Sequence, residues 1–193
     1  MLKRYKIAAI PLSTKLFYLL VLIFITGVVF GVLTSENEIT SAIADGYSSV
    51  QGDEFAADNF FRTITADAVF LALVFLLGFS AVSLPVLILV PFFKGLGIGV
   101  ATVALLNADP SFWGIVRCFV GFSLTTAVSS YIVIMAVVSS LRLSLGLFSH
   151  LSGRCDAFDL TTEWKKYCLK FVLFTVIIVI NAVTDTLLSV LLY

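Results

Sequence analysis

Gly78-Phe79-Ser80-Ala81-Val82-Ser83-Leu84-Pro85, running on through apolar residues to Pro91-Phe92-Phe93-Lys94-Gly95-Leu96-Gly97-Ile98-Gly99, decides how this chain folds. Two prolines, four glycines and a lysine stand inside sequence otherwise hydrophobic enough for lipid, where broken backbone and a buried charge are both costly. Neighbouring groups must compensate. A helix hairpin that turns near Ser83 to Pro85, with its glycines admitting a neighbour close to Lys94, supplies that compensation. The chain is therefore read as a membrane helix bundle centred on this hairpin. Its packing is expected to depend on Gly78, Pro85, Pro91, Lys94, Gly95, Gly97 and Gly99.

Composition leads to the same solvent. At 60% hydrophobic and 12% charged, with a mean hydropathy of +1.11, the 193 residues carry more apolar surface than a water-soluble core of this size hides. The expected fold class is all-α, a polytopic transmembrane bundle forming a single integral membrane domain over residues 1–193, with the lipid bilayer as its first partner. Cys118, Cys155 and Cys168 have no CxxC spacing and read as small apolar or reduced thiols. His150 stands alone, so no histidine metal cluster can form. No cofactor and no nucleic-acid partner are expected.

Residues 1–15 carry Lys3, Arg4, Lys6 and Lys15 with no acid and precede Leu16 to Leu33, long enough to cross a bilayer. A cleaved secretory signal is the competing reading. The length of the run, the lack of an A-x-A-like site after it and the hydrophobicity of the remaining chain argue against it. Gly27 and Gly31 form a GxxxG, a contact face for another helix or a by-product of membrane composition.

The polar stretch from Thr34 to Asp67 is acidic, with Arg62 its only cation. Ile39, Ile43, Tyr47 and Val50 recur in it at helical spacing, after a capping box of Ser35 and Glu38. That stripe lies on the membrane surface or bundle, or forms a partner face. The acids lack the spacing of a calcium loop and read as a solvated face.

Four more spans come after it: Thr63 to Val82, Leu84 to Leu106 with a kink at Pro91, Trp113 to Ser140 after an Asp109 cap and Pro110, and Cys168 to Leu192. Gly121, Thr125 and Ser129 line one face of the fourth at spacing four. Basic residues between Leu141 and Lys170 match those at the N-terminus, so both belong on the cytoplasmic side. Five spans then place the N-terminus inside, residues 34–62 outside, 141–168 inside and the C-terminus outside. Trp164 and Tyr167 fit the interface. Arg117 and Asp185, toward outer span ends, have room to snorkel.

Lys94 falls near the middle of its span and supports two readings. An intramembrane ionisable group marks a substrate or ion site. Alternatively, with no acid evident at matching depth, Lys94 turns inward beside the glycines and bonds carbonyls freed near Pro91, fixing packing alone.

Phe75-Leu76-Leu77-Gly78-Phe79, Leu84-Pro85 and Pro91-Phe92-Phe93-Lys94-Gly95-Leu96-Gly97-Ile98-Gly99 together resemble the G-x(n)-P-x(n)-[KN]-G-x-x-x-G core of the stage II sporulation protein M family. Phe55 to Phe61, with Asn59, is similar to the family's segment at that place, so the resemblance covers roughly Phe55 to Leu106. Where many members open the next helix with a Pro-(His or Asn) segment, this chain has Asp109-Pro110-Ser111-Phe112-Trp113-Gly114, a departure that admits a divergent paralogue.

The resemblance implies a non-enzymatic scaffold in the bacterial cytoplasmic membrane. It would recruit cell-wall hydrolases resembling stage II sporulation proteins P and D during engulfment. Independently, the chain has no G-x-S-x-G, HExxH or P-loop, and its one histidine lies away from the serines of the spans. The alternative is a small transporter or channel subunit that uses Lys94 beside broken helices.

Overall fold

The computed structural model describes residues 11–35, 56–80, 83–108, 111–117, 119, 122–151 and 160–192. These residues form six helices and no strand. They are α1 (Pro11–Thr34), α2 (Ala56–Leu77), α3 (Leu84–Ala108), the short α4 (Phe112–Arg117), α5 (Ser123–Leu151) and α6 (Leu160–Leu192). The all-helical membrane bundle expected from composition is the fold observed.

Four segments are long and apolar enough to cross a membrane: Thr14–Thr34, Leu84–Asn107, Ser123–Ser149 and Thr162–Leu188. Helix α2 has a shorter apolar stretch, Thr63–Leu77, but its 22 residues reach about 33 Å, close to the ~30 Å of a bilayer core. Contacts fix the direction of each helix. Gly27 meets Phe92 and Gly31 meets Leu96, so α1 and α3 are parallel. Asp67, Val74 and Ser80 of the α2 arm meet Ser129, Ser140 and Ser144 in that order, so α2 and α5 are parallel too. Helix α6 opposes both α2 and α5, pairing Asp185 with Thr63 and Thr125, and Tyr167 with Phe75 and Ser140. Five long helices that alternate along the chain are what five successive crossings require.

The expected turn between the second and third spans is present, since the described residues Gly78, Phe79, Ser80 and Ser83 are not helical and Ser83 N donates to Ser80 O at 3.3 Å. The bundle's centre is different from the one expected. Helix α3 packs chiefly against α1 and α5, and touches its hairpin partner α2 much less. Helices α3 and α5 are the most buried of the spans, and α5 contributes Ile132, Val133, Ala136, Val137 and Leu141 to the core beside Leu20, Leu71, Val74, Leu87 and Val90. The reason is shape: glycines on α1 and α3 let the two backbones approach each other directly.

In the stretch read as one span from Trp113, α4 ends at Arg117 and α5 begins at Ser123, and of the residues between them Phe119 and Phe122 are described and are helical too. The polar segment from Leu141 is mostly helical, because α5 continues to Leu151 and α6 begins at Leu160; Leu141, Leu143 and Ser144 are buried in it. The stripe Ile39, Ile43, Tyr47 and Val50 lies outside the described residues.

Candidate functional site

A file of polar contacts runs the length of α2 inside the bundle, and its middle is Lys94. The lysine is 5% exposed, and Asp67 opposite is 4% exposed. Lys94 Nζ donates to Asp67 Oδ1, Ser129 Oγ donates to the same oxygen at 2.7 Å, and the Phe70 ring lies 5.2 Å from the ammonium. Charge, hydroxyl and aromatic face together replace the water that a buried ion pair gives up.

This corrects the sequence reading at two residues. Asp67 belongs to the interior and not to the solvated acidic face, because α2 is already inside the bundle at that turn. Lys94 bonds this carboxylate, not carbonyls near Pro91. The partner stands 27 residues upstream, beyond the reach of any local pattern.

Toward the start of α2, Asp185 accepts from Thr63 Oγ1 at 3.1 Å and from Thr125 Oγ1 at 2.9 Å. Asn181 Nδ2 donates to the Thr125 carbonyl at 3.1 Å. Asp185 therefore turns inward and does not snorkel. Thr63/Asp67, Thr125/Ser129 and Asn181/Asp185 are three i, i+4 pairs on three helices, the spacing that stacks side chains on one face. The Thr125/Ser129 seam was visible as small residues; its polar role was not.

Toward the end of α2, every one of the last four carbonyls has a donor, as a helix end in lipid demands. Val74 O receives Gly78 N and Ser140 Oγ, each at 3.1 Å. Phe75 O receives Tyr167 OH at 3.0 Å, and Leu76 O receives Phe79 N at 3.2 Å. Leu77 O receives Ser80 N at 3.1 Å and faces Ser83 Oγ. The turn's own Ser80 O takes Ser83 Oγ at 2.7 Å and Ser144 Oγ at 2.8 Å. Tyr167, read as interfacial, is instead buried and stacks on Phe75 at 5.4 Å between ring centroids. Gly78 is required because a side chain there would strike the Tyr167 phenol.

The remaining residues expected to govern packing have distinct places. Pro85 is exposed in the first turn of α3, where a missing N–H costs nothing. Pro91 is fully buried within α3. A Cβ on Gly95 would collide with the Phe24 carbonyl, and one on Gly99 with the Val28 carbonyl; conversely, Gly27 and Gly31 abut the Phe92 and Leu96 carbonyls. Gly97 is buried beside this contact, as is Ala101.

An apolar groove of ≈ 350 Å³ lies between α2 and α6, with Ala68, Leu71, Ala72, Phe75, Phe171 and Ile178 among its lining. It presents no charged group. Among the described residues no group of three or more His, Cys, Asp or Glu side chains could hold a metal. The polar file links α2, α3, α5 and α6, and its Lys94–Asp67 pair is enclosed.

The family model described as stage II sporulation protein M matches residues 20–189. Comparison with curated proteins and with solved structures returned no match.

Proposed function

The chain belongs to the stage II sporulation protein M family, and from that premise we propose that it is a non-enzymatic platform which gathers peptidoglycan-degrading proteins, resembling stage II sporulation proteins P and D, during engulfment. It is a sporulation-related, multi-pass membrane protein. The proposed address is the bacterial cytoplasmic membrane, with the N-terminus inside and the acidic 34–62 segment outside. The alternating helix directions and the basic 1–15 segment support that orientation.

One observation carries the platform reading: the buried polar groups of the bundle are directed at each other and at backbone, Lys94 to Asp67 and Ser140, Ser144 and Tyr167 to carbonyls of the α2 arm. Such an interior stabilises a shape. Partner recognition then falls to the outer segment and to the exposed apolar faces of α1 and α6, which include Leu22, Val29, Val172 and Val176.

The test is affinity purification of the tagged protein from native membranes of the host, with identification of what accompanies it. Wall hydrolases are expected, and their recovery should fall when residues 34–62 are replaced by a neutral linker. A second reading, a transporter subunit, draws on the buried Lys94–Asp67 pair beside a glycine-rich helix. Recovery of no partner, with Lys94-dependent solute flux in liposomes, would establish that reading and end the platform one.

A further inference from the structure

We propose that the groove between α2 and α6 holds one acyl chain of an anionic phospholipid, whose headgroup meets Lys165. The course of the groove is the first observation. Its lining runs from Ile64 to Phe75 on α2 and from Cys168 to Val179 on α6, and each stretch extends about 16 Å along its helix. The two helices oppose one another, with Thr63 beside Asp185 and Phe75 beside Tyr167, so both stretches cover the same depth. Both also lie within the apolar segments Thr63–Leu77 and Thr162–Leu188. The groove therefore follows the helices along the hydrocarbon layer.

Width is the second observation. A volume of ≈ 350 Å³ spread over that length leaves a slot about 5 Å across, whereas an α-helix with its side chains needs roughly 10–12 Å. A single extended chain fits, as neighbouring strands in a sheet lie about 4.8 Å apart. Leu71, Phe171 and Ile178 are the buried residues of the lining, and Ala68 and Ala72, exposed on α2, keep the slot open. Thr175, the one hydroxyl in the lining, turns to the Phe171 carbonyl of its own helix at 2.9 Å. The walls thus present methyl groups and ring carbon, the surface against which a hydrocarbon chain gains dispersion contacts.

Charge at one end selects the headgroup. Lys165 is exposed and stands three residues before Cys168 and seven before Val172, the spacing that keeps it on the groove side of α6. Trp164 beside it is half-exposed and packs on Phe79 of the turn, with ring centroids 4.5 Å apart, in the manner of an aromatic at the membrane interface. Lys165 is therefore at headgroup depth, beyond the end of the groove formed by Phe75 and Cys168. The nearby acid, Glu163, is engaged by Lys166 at 2.7 Å. The Lys165 ammonium complements a headgroup of net negative charge, and the acyl chain would run from there past Phe75 toward Ile64, bridging α2 and α6. Leu169, Leu173 and Ile180, exposed on another face of α6, stay outside this contact.

The experiment places a diazirine-bearing leucine analogue at Val172, in the groove, or at Leu173, outside it, in the full chain reconstituted into vesicles of equimolar phosphatidylglycerol and phosphatidylcholine. After irradiation, mass spectrometry reads the ratio of the two lipid adducts at each position. Phosphatidylglycerol should be enriched roughly fivefold at Val172 relative to Leu173. Lys165→Gln should remove that enrichment, and Ala72→Leu, which fills the slot, should reduce it. If Ala72→Leu fails to fold, the exposed Lys165→Gln still decides the question. Equal ratios at Val172 and Leu173 would overturn the site, leaving only the ordinary lipid around a membrane protein. A cross-link from Val172 to a second copy of the chain would overturn it too, by assigning the groove to a protein contact.

Discussion

Lys94 and Gly95 are consecutive residues of α3, and they face opposite kinds of interface. On the Gly95 side, α3 meets α1 with backbone against backbone: four glycines, Gly27, Gly31, Gly95 and Gly99, interlock around the carbonyls of Phe24, Val28, Phe92 and Leu96. On the Lys94 side, contact with α2 and α5 runs through an ion pair and a serine. Lipid tails are as apolar as leucine, so in a membrane helices associate by close packing or by hydrogen bonding, not by hydrophobic burial. This bundle uses each on a different face of one helix. The glycine seam depends on size, whereas the polar face depends on complementarity between two specific partners.

That distinction is open to experiment, and the largest effect should come from the polar face. Lys94→Met leaves Asp67 buried with no cation and should cost about 3–5 kcal/mol, measured by denaturant unfolding in mixed micelles. The double change Lys94→Met, Asp67→Leu should recover most of that loss, because replacing both members by apolar groups removes the stranded charge. If the double variant is no better than the single one, complementarity is not what this face requires.

Next comes the seam. Gly95→Ala and Gly95→Ser should each weaken the α1–α3 contact by about 1–3 kcal/mol, and by the same amount, since added volume is the only variable. Cross-linking of cysteines placed at Phe30 and Phe92, whose rings lie 6.1 Å apart, reports the separation. A milder outcome for serine would show that the seam tolerates polar rescue and would blur the contrast.

Tyr167→Phe should be smaller again, about 1–2 kcal/mol, because it strips one donor from the Phe75 carbonyl and one partner from Ser140 while the aromatic stack stays. Smallest should be Ser144→Ala, about 0.6 kcal/mol, since the Ser80 carbonyl keeps Ser83 as a donor. Reversal of these last two would place the Gly78–Ser83 turn, not the Tyr167 stack, as the main constraint on the end of α2.

The glycine side was readable in the chain because its signal is local. Gly95/Gly99 recur at spacing four within one segment and mark a close-packing face; Gly27/Gly31 have the same spacing, which membrane composition explains equally well until the Phe92 and Leu96 carbonyls are seen against them. The polar side was not readable in the same way. Asp67 sits among acids that look solvated, Asp185 sits near a span end where snorkelling is the ordinary fate, and Tyr167 sits where an interfacial aromatic belongs. Each was misplaced because its environment is made by residues far away in sequence: Lys94 for Asp67, Thr63 and Thr125 for Asp185, Ser140 and Phe75 for Tyr167. The pairs Thr63/Asp67, Thr125/Ser129 and Asn181/Asp185 were the available clue, since three polar i, i+4 pairs in apolar helices are hard to explain as lipid-facing.

By itself the chain determined the solvent, the all-helical class, the break between the second and third spans and the surfaces where backbones touch. Those follow from hydropathy, proline and glycine, whose effects act within one or two helical turns. Only the tertiary structure decided that α1 and not α2 is the principal neighbour of α3, that Lys94 has an acid, and that the carbonyls of Val74, Phe75 and Leu77 are met from α5, α6 and the turn. Such matches are set by which segments come to lie side by side, and in a bundle that choice rests on shape and depth across distant parts of the chain.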